Sequence, residues 1–186
     1  MRKALDGLYA GALAGACLAM VIIASLVFLQ VLGRMADRIG VWLGVGRFGF
    51  AVPSLAEFGG FLFVAAAFLA LPYTLRSAGH VRVTLVLRFL PSGADRLLTA
   101  LVLVIAIGLM CFAAWFVGWQ TVASHARGSV SYGLIPIPLW LPQAVMTLGI
   151  VIFVVALVDE LVATLRGETA AFRKAELERE QAEGYR

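Results

Sequence analysis

Charged residues divide this chain into long apolar stretches. Between Asp6 and Arg34, no charged residue interrupts the run from Gly7 to Gly33. A second run, Phe58 to Leu75, lies between Glu57 and Arg76. A third, Leu97 to about Ser124, lies between Arg96 and His125, and a fourth, Gly128 to Val158, between Arg127 and Asp159. A helix needs roughly 20 apolar residues to cross the hydrocarbon core, where its backbone must satisfy its own hydrogen bonds. The runs predict an all-α integral membrane protein with four transmembrane helices, at residues 8–32, 55–75, 95–122 and 138–164. Only the later part of the fourth run, from about Pro138, reads as continuous helix. Its first part, "GSVSYGLIPIPLWLP", is rich in Gly, Ser and Pro and reads as a loop.

Composition supports the membrane reading. The chain of 186 residues is 62% hydrophobic and 14% charged, with a mean hydropathy of +0.95. A chain this short could not bury so much apolar surface in a soluble core. The first run is too long for a cleaved leader, and no cleavage site follows it. The net charge of +4 comes from basic residues spread along the chain with no basic face, so nucleic acid is not an expected partner. Cys17 and Cys111 form no paired or metal-spaced motif and read as small buried residues.

The basic residues also predict orientation. Arg2, Lys3, Arg76, Arg82, Arg88, Arg96, Arg166, Arg173, Lys174, Arg179 and Arg186 fall on one side of a four-span topology, 11 in all, and Arg34, Arg38, Arg47 and Arg127 on the other. The positive-inside rule then places both termini and the 76–96 segment in the cytoplasm. The charged tail, residues 166–186, reads as a short cytoplasmic helix extending from the last span.

Two connections carry their own pattern. The outer loop "RMADRIGVWLGVGRFGFAVPSLAE", residues 34–57, contains Trp42 and is too broken by glycine to span. An interfacial segment on the outer surface is expected there, and Ser54 is a candidate N-cap for the second span. The inner connection holds "GHVRVTLVLRFLP", residues 79–91. As a helix it puts His80, Thr84 and Arg88 on one stripe and Val81, Leu85 and Phe89 on the next. Such an amphipathic piece suits the membrane surface, with Arg82 and Arg88 at lipid phosphates or at acidic groups of a partner. Its first residues also alternate as a strand does. Pro91 ends the piece, and Ser92 or Asp95 can start the next helix.

The spans carry little chemistry. Ionisable groups sit only at their ends, as Glu57, Asp159 and Glu160. There is no phosphate-binding loop, zinc motif or broken-helix ion site, so no cofactor, metal or catalytic residue is expected. What the spans do carry is packing chemistry. Gly11, Gly15 and Ala19 form a small-residue ridge, and Gly59, Gly60, Ala65, Ala66, Ala67 and Ala70 enrich the second span. Small residues let helices approach closely, either within the four or against another membrane protein. Trp115, Trp119, Tyr132 and Trp140 read as anchors at the outer interface.

Two longer stretches give these features a family. "EFGGFLFVAAAFLALPYTLRSAGHVRVTLVLRFLP", Glu57 to Pro91, and "GLIPIPLWLPQAVMTLG", Gly133 to Gly149, resemble the small membrane subunit of tripartite ATP-independent periplasmic (TRAP) transporters. The likeness covers roughly residues 5–165. Thr84 stands where many members have aspartate, and Ala56 where a second acidic residue often precedes the glutamate. The resemblance implies a non-catalytic subunit of the bacterial inner membrane. It would brace a large permease subunit for sodium-driven uptake of an organic acid delivered by a periplasmic binding protein. Gly11, Gly15, Glu57, His80, Arg82, Arg88 and Trp140 are the candidate contacts with that subunit or with membrane lipids. The alternative is a self-sufficient four-span transporter acting as a homo-oligomer. That class would carry an acid inside the first span, and this chain has none there. A four-span redox enzyme would carry paired cysteines in its outer loops, and these hold none.

Overall fold

The computed structural model describes residues 2–46, 49, 51, 53–77 and 92–167. Its helices are α1 (Arg2–Trp42), α2 (Leu55–Arg76), α3 (Ser92–Ala126) and α4 (Trp140–Leu165). All four are long and apolar enough to cross a membrane. No strand occurs among the described residues; one isolated antiparallel bridge joins Val130 to Pro138.

The helices stand in an open row. α1 packs on α2, α2 on α4 and α4 on α3, while α1 barely reaches α4. α4 is therefore an inner member although it comes last in the chain. It buries Gly149, Ile150, Ile152, Phe153, Ala156, Leu157, Glu160 and Thr164. A core of Tyr9, Ala12, Leu75, Leu103, Ile152, Phe153, Ala156 and Leu157 draws all four helices together at the end where α1 begins.

α1 differs from the expected first span in two ways. It continues through residues 34–42 without a break. The segment expected to lie apart after Leu32 is thus the last turns of the same helix, because glycine at Gly40 weakens a helix but does not stop it. At about 1.5 Å per residue, its 41 residues measure about 60 Å, longer than the bilayer core of about 30 Å. The seam of α1 also coincides only in part with the Gly11–Gly15–Ala19 ridge. In its first half the buried residues are Tyr9, Ala12, Ala16 and Ala19, spaced three and four apart as in a coiled-coil stripe. Gly11 faces outward with open space around it, and Gly15 sits at the seam's edge, where a Cβ would lie 3.4 Å from Leu69 Cδ1. Small residues occur on several faces of α1, so spacing alone did not single out the packed one.

Two smaller expectations change as well. Cys17 and Cys111 are exposed on the helix surfaces, not buried. On a membrane-spanning helix an exposed position faces lipid or another membrane protein, and in either setting a thiol behaves as a small apolar group. Ser54 stands at the N-cap of α2 in a left-handed conformation, φ 54°, but its side chain does not cap the helix.

Candidate functional site

One end of the row is closed by a loop. After Gly128, residues 129–139 fold back on themselves: the Ser131 amide donates to the Ile137 carbonyl at 2.9 Å and the Leu139 amide to Ser129 at 3.0 Å. The loop then fastens to the start of α2. The Ile135 amide donates to Ser54 Oγ at 3.1 Å, which explains why that hydroxyl is not used as a helix cap. Ser131 Oγ donates toward Glu57 Oε2 at 3.2 Å, with the Ile135 carbonyl also in reach at 3.3 Å, and it accepts from the Ile137 amide at 3.1 Å. Gly133 lies against the same carboxylate, and a Cβ there would run into Glu57. A carboxylate in the first turn of a helix also faces the positive end of its dipole. Glu57 thus holds a loop that begins more than 70 residues later in the chain. The loop turns Tyr132 and Leu134 outward on either side of Gly133.

The seams behind this end rest on close approach. Pro72 lies inside α2 and has no N–H to donate to the Phe68 carbonyl, one turn earlier. Opposite stands Gly149 of α4, buried. A Cβ at Gly149 would lie 2.8 Å from the Phe68 carbonyl carbon and 2.9 Å from its oxygen. Glycine here lets the α4 backbone press onto a carbonyl that proline has left without its usual donor. Between α3 and α4, Thr121 Oγ1 and Thr147 Oγ1 share a hydrogen bond of 3.2 Å. Each hydroxyl also lies 2.8 Å from a carbonyl of its own helix, that of Val117 or Gln143. His125 meets Trp140 edge to face, with ring centroids 5.3 Å apart.

Charges gather at the opposite end. Arg76 at the close of α2 pairs with Asp6 of α1 and lies over the Tyr9 ring, 5.2 Å from its centroid. Arg96 of α3 reaches the C-terminus of α4, where Nε donates to the Thr164 carbonyl at 2.8 Å and Nη2 to the Leu165 carbonyl. A cation at a helix C-terminus satisfies carbonyls that have no intrahelical donor. Glu160 is buried at 2% exposure beside this group.

Of the residues singled out from the sequence, the structure brings Glu57 to the loop and Trp140 to His125, leaves Gly11 outward, and sets Gly15 at a seam. His80, Arg82 and Arg88 lie outside the described residues. Sequence reasoning missed Gly133, Gly149 and Ser131. Gly133 and Gly149 bound one of the stretches that carry the family resemblance, but their contacts with Glu57 and Phe68, like that of Ser131 with Glu57, join residues distant in the chain.

The polar contacts described above fasten helices and loop together, at the two ends and along the seams. Among the described residues, no group of three or more His, Cys, Asp or Glu is placed to hold a metal ion. Against this background, a family model described as "Tripartite ATP-independent periplasmic transporters, DctQ component" matches residues 23–167. The chain belongs to the DctQ family. No curated protein and no solved structure matches it. DctQ subunits are inner-membrane components of three-part transport systems that also contain a large permease and a periplasmic binding protein, and the family is generally non-enzymatic. Membership does not favour the self-sufficient small transporter.

Proposed function

We propose that this DctQ-family chain braces the large permease subunit. On this reading it gives the moving part of that subunit a fixed body to work against during sodium-driven uptake of an organic acid, which the periplasmic binding protein delivers. The observation that carries the reading is where the polar groups sit. The described helices meet through apolar side chains, close glycine contacts and a shared hydroxyl bond, and the Asp6–Arg76 and Arg96–α4 contacts tie helix ends. That construction resists deformation, as a brace requires, and among the described residues it offers no chain of ionisable groups across the spans for an ion to follow. The excess of basic residues at the Asp6–Arg76 end supports a cytoplasmic placement of both termini. The closed loop end, with Glu57, would then face the periplasm. Gly11, outward and unobstructed, suits a helix of the large subunit. His80, Arg82 and Arg88 would hold the inner connection to lipid or to that subunit.

Reconstitution tests this reading. Proteoliposomes containing the large subunit, with binding protein and labelled organic acid outside, should take up substrate down a sodium gradient only when this chain is present. Equal uptake without it would overturn the proposal, as would uptake by this chain alone.

A further inference from the structure

At the start of α2 the sequence and the hydrogen bonds disagree. Ser54, Leu55, Ala56 and Glu57 spell a capping box, a serine at the N-cap followed three residues later by glutamate. In that motif the serine hydroxyl accepts from the glutamate amide, the carboxylate accepts from the serine amide, and the serine backbone is extended. Here the Ser54 side chain makes no cap bond. Its Oγ accepts from the Ile135 amide instead, and the Glu57 carboxylate accepts from Ser131 Oγ. Both side chains of the box are thus spent on the loop. Ser54 is also left-handed, φ 54°, the one non-glycine residue with positive φ among the described residues. Serine enters that region at a cost, because its Cβ crowds the backbone.

Each side chain that fastens the loop has a second partner close by in the chain. Ser54 Oγ has the Glu57 amide, which now shares the Ser54 carbonyl with the Phe58 amide, at 3.0 and 3.1 Å. The Glu57 carboxylate has the Ser54 amide, through the same box. The Ser131 hydroxyl has the Ile135 carbonyl, already 3.3 Å away. Only the Ile135 amide is left over, and its bond lies at the exposed surface, where water can take the place of Ser54. The bonds that shape the loop, from the Ser131 amide to Ile137 and from the Leu139 amide to Ser129, do not involve α2. Parting loop and helix therefore strands no buried group and leaves both folded.

We propose that residues 54–57 and the loop 129–139 form a releasable clasp with two settings. In one, Ser54 is held left-handed and, with Glu57, grips the loop. In the other, Ser54 turns to the extended region, the capping box closes on the start of α2, and the loop moves off as a hydrogen-bonded unit. The exchange balances strain at Ser54 against the bonds across to the loop, so neither setting requires α2 to unravel. A load on the loop tip, where Tyr132 and Leu134 stand exposed, is taken up at Ser54 and is not passed into the helix row. The clasp does not depend on the bracing role.

Backbone amide exchange and the Ser54 carbon shifts, both read by NMR on the full chain in detergent micelles, test the device. In the unmodified chain the Ser54 Cα and Cβ shifts should be those of a left-handed residue. Gly133→Ala sets a methyl group against the Glu57 carboxylate and should open the clasp. The Ile135 amide should then exchange at least about fivefold faster. The Ser54 shifts should move to extended values, and the Glu57 amide should keep its protection, because the box closes over it. Adding Ser54→Ala to Gly133→Ala removes the box, and exchange at the Glu57 amide should rise about fivefold. An Ile135 amide as slow in Gly133→Ala as before, a Glu57 amide that speeds up together with it, or Ser54 shifts that stay left-handed once Ile135 is freed would each overturn the proposal. A Glu57 amide indifferent to the added Ser54→Ala would overturn it as well.

Discussion

Replacing Gly149 with alanine adds one methyl group at the most constrained point of the row. In the structure that methyl lies 2.8 Å from the carbonyl carbon of Phe68, 2.8 Å from its Cβ and 2.9 Å from its oxygen. Carbon atoms settle at about 3.5–4.0 Å, so α2 and α4 must part by roughly 1 Å. Two of the three atoms met are backbone, so no rotamer change relieves the contact. A gap of that size forfeits a quarter to a half of the dispersion energy of the side chains on either side. Overpacking of this kind costs about 1–3 kcal/mol. The upper part of the range applies, because α2–α4 is the central contact of the row. Thermal unfolding in detergent, followed by tryptophan fluorescence, should show a midpoint roughly 3–10 °C lower for Gly149→Ala. Gly11→Ala and Gly59→Ala provide the contrast, since a Cβ at either position meets nothing within 4 Å. Their midpoints should not fall. Phe68→Ala combined with Gly149→Ala should not recover stability, because the carbonyl remains. An unchanged midpoint for Gly149→Ala, or a fall as large for Gly11→Ala, would refute the close-approach argument.

Other consequences can be measured separately. Ser131→Ala removes the acceptor of the Ile137 amide and the donor to Glu57. Leaving this part-buried donor without its partner costs about 1 kcal/mol, so amide exchange at Ile137 should speed up about fivefold while α4 keeps its protection. Gly133→Ala should loosen the same loop through its collision with the Glu57 carboxylate, and proteolysis within 129–139 would report it. Arg96→Gln removes a donor from the Leu165 carbonyl and one from the Thr164 carbonyl, which keeps the Gly167 amide. About 1–2 kcal/mol should be lost, and exchange should rise in the last turn of α4 alone. A fluorescent protein fused after Arg186 should fluoresce and alkaline phosphatase fused there should be inactive; the reverse pair would put the termini outside.

The helices were legible because charge is excluded from the bilayer core. Glu57, Arg76, Arg96 and Asp159 mark span ends in the bare sequence and stand at or near helix ends in the structure. The loop before the last helix was legible from its glycines and prolines. Which face of α1 packs within the four helices was not legible. Gly11, Gly15, Ala12, Ala16 and Ala19 are all small, so the ridge could be drawn along more than one side of α1. Only the position of α2 decides that Ala12 and Ala16 lie inside. Cys17 and Cys111 were misjudged for a related reason: in a membrane, an apolar surrounding does not require burial in protein. The end of α1 was placed too early because arginine and glycine at 34–46 suggested a break, and a helix tolerates both. The Glu57–Gly133 and Phe68–Gly149 contacts join residues about 80 apart. A single sequence carries no local sign of them.

The central claim is that this chain works only as part of a larger membrane assembly. Its most direct test is co-purification: the tagged chain, expressed with its genomic neighbours, is extracted in mild detergent and its partners are weighed. Recovery of a large polytopic permease in equal amount is the expected result. A stable chain that comes alone, as monomer or homodimer, would contradict the account.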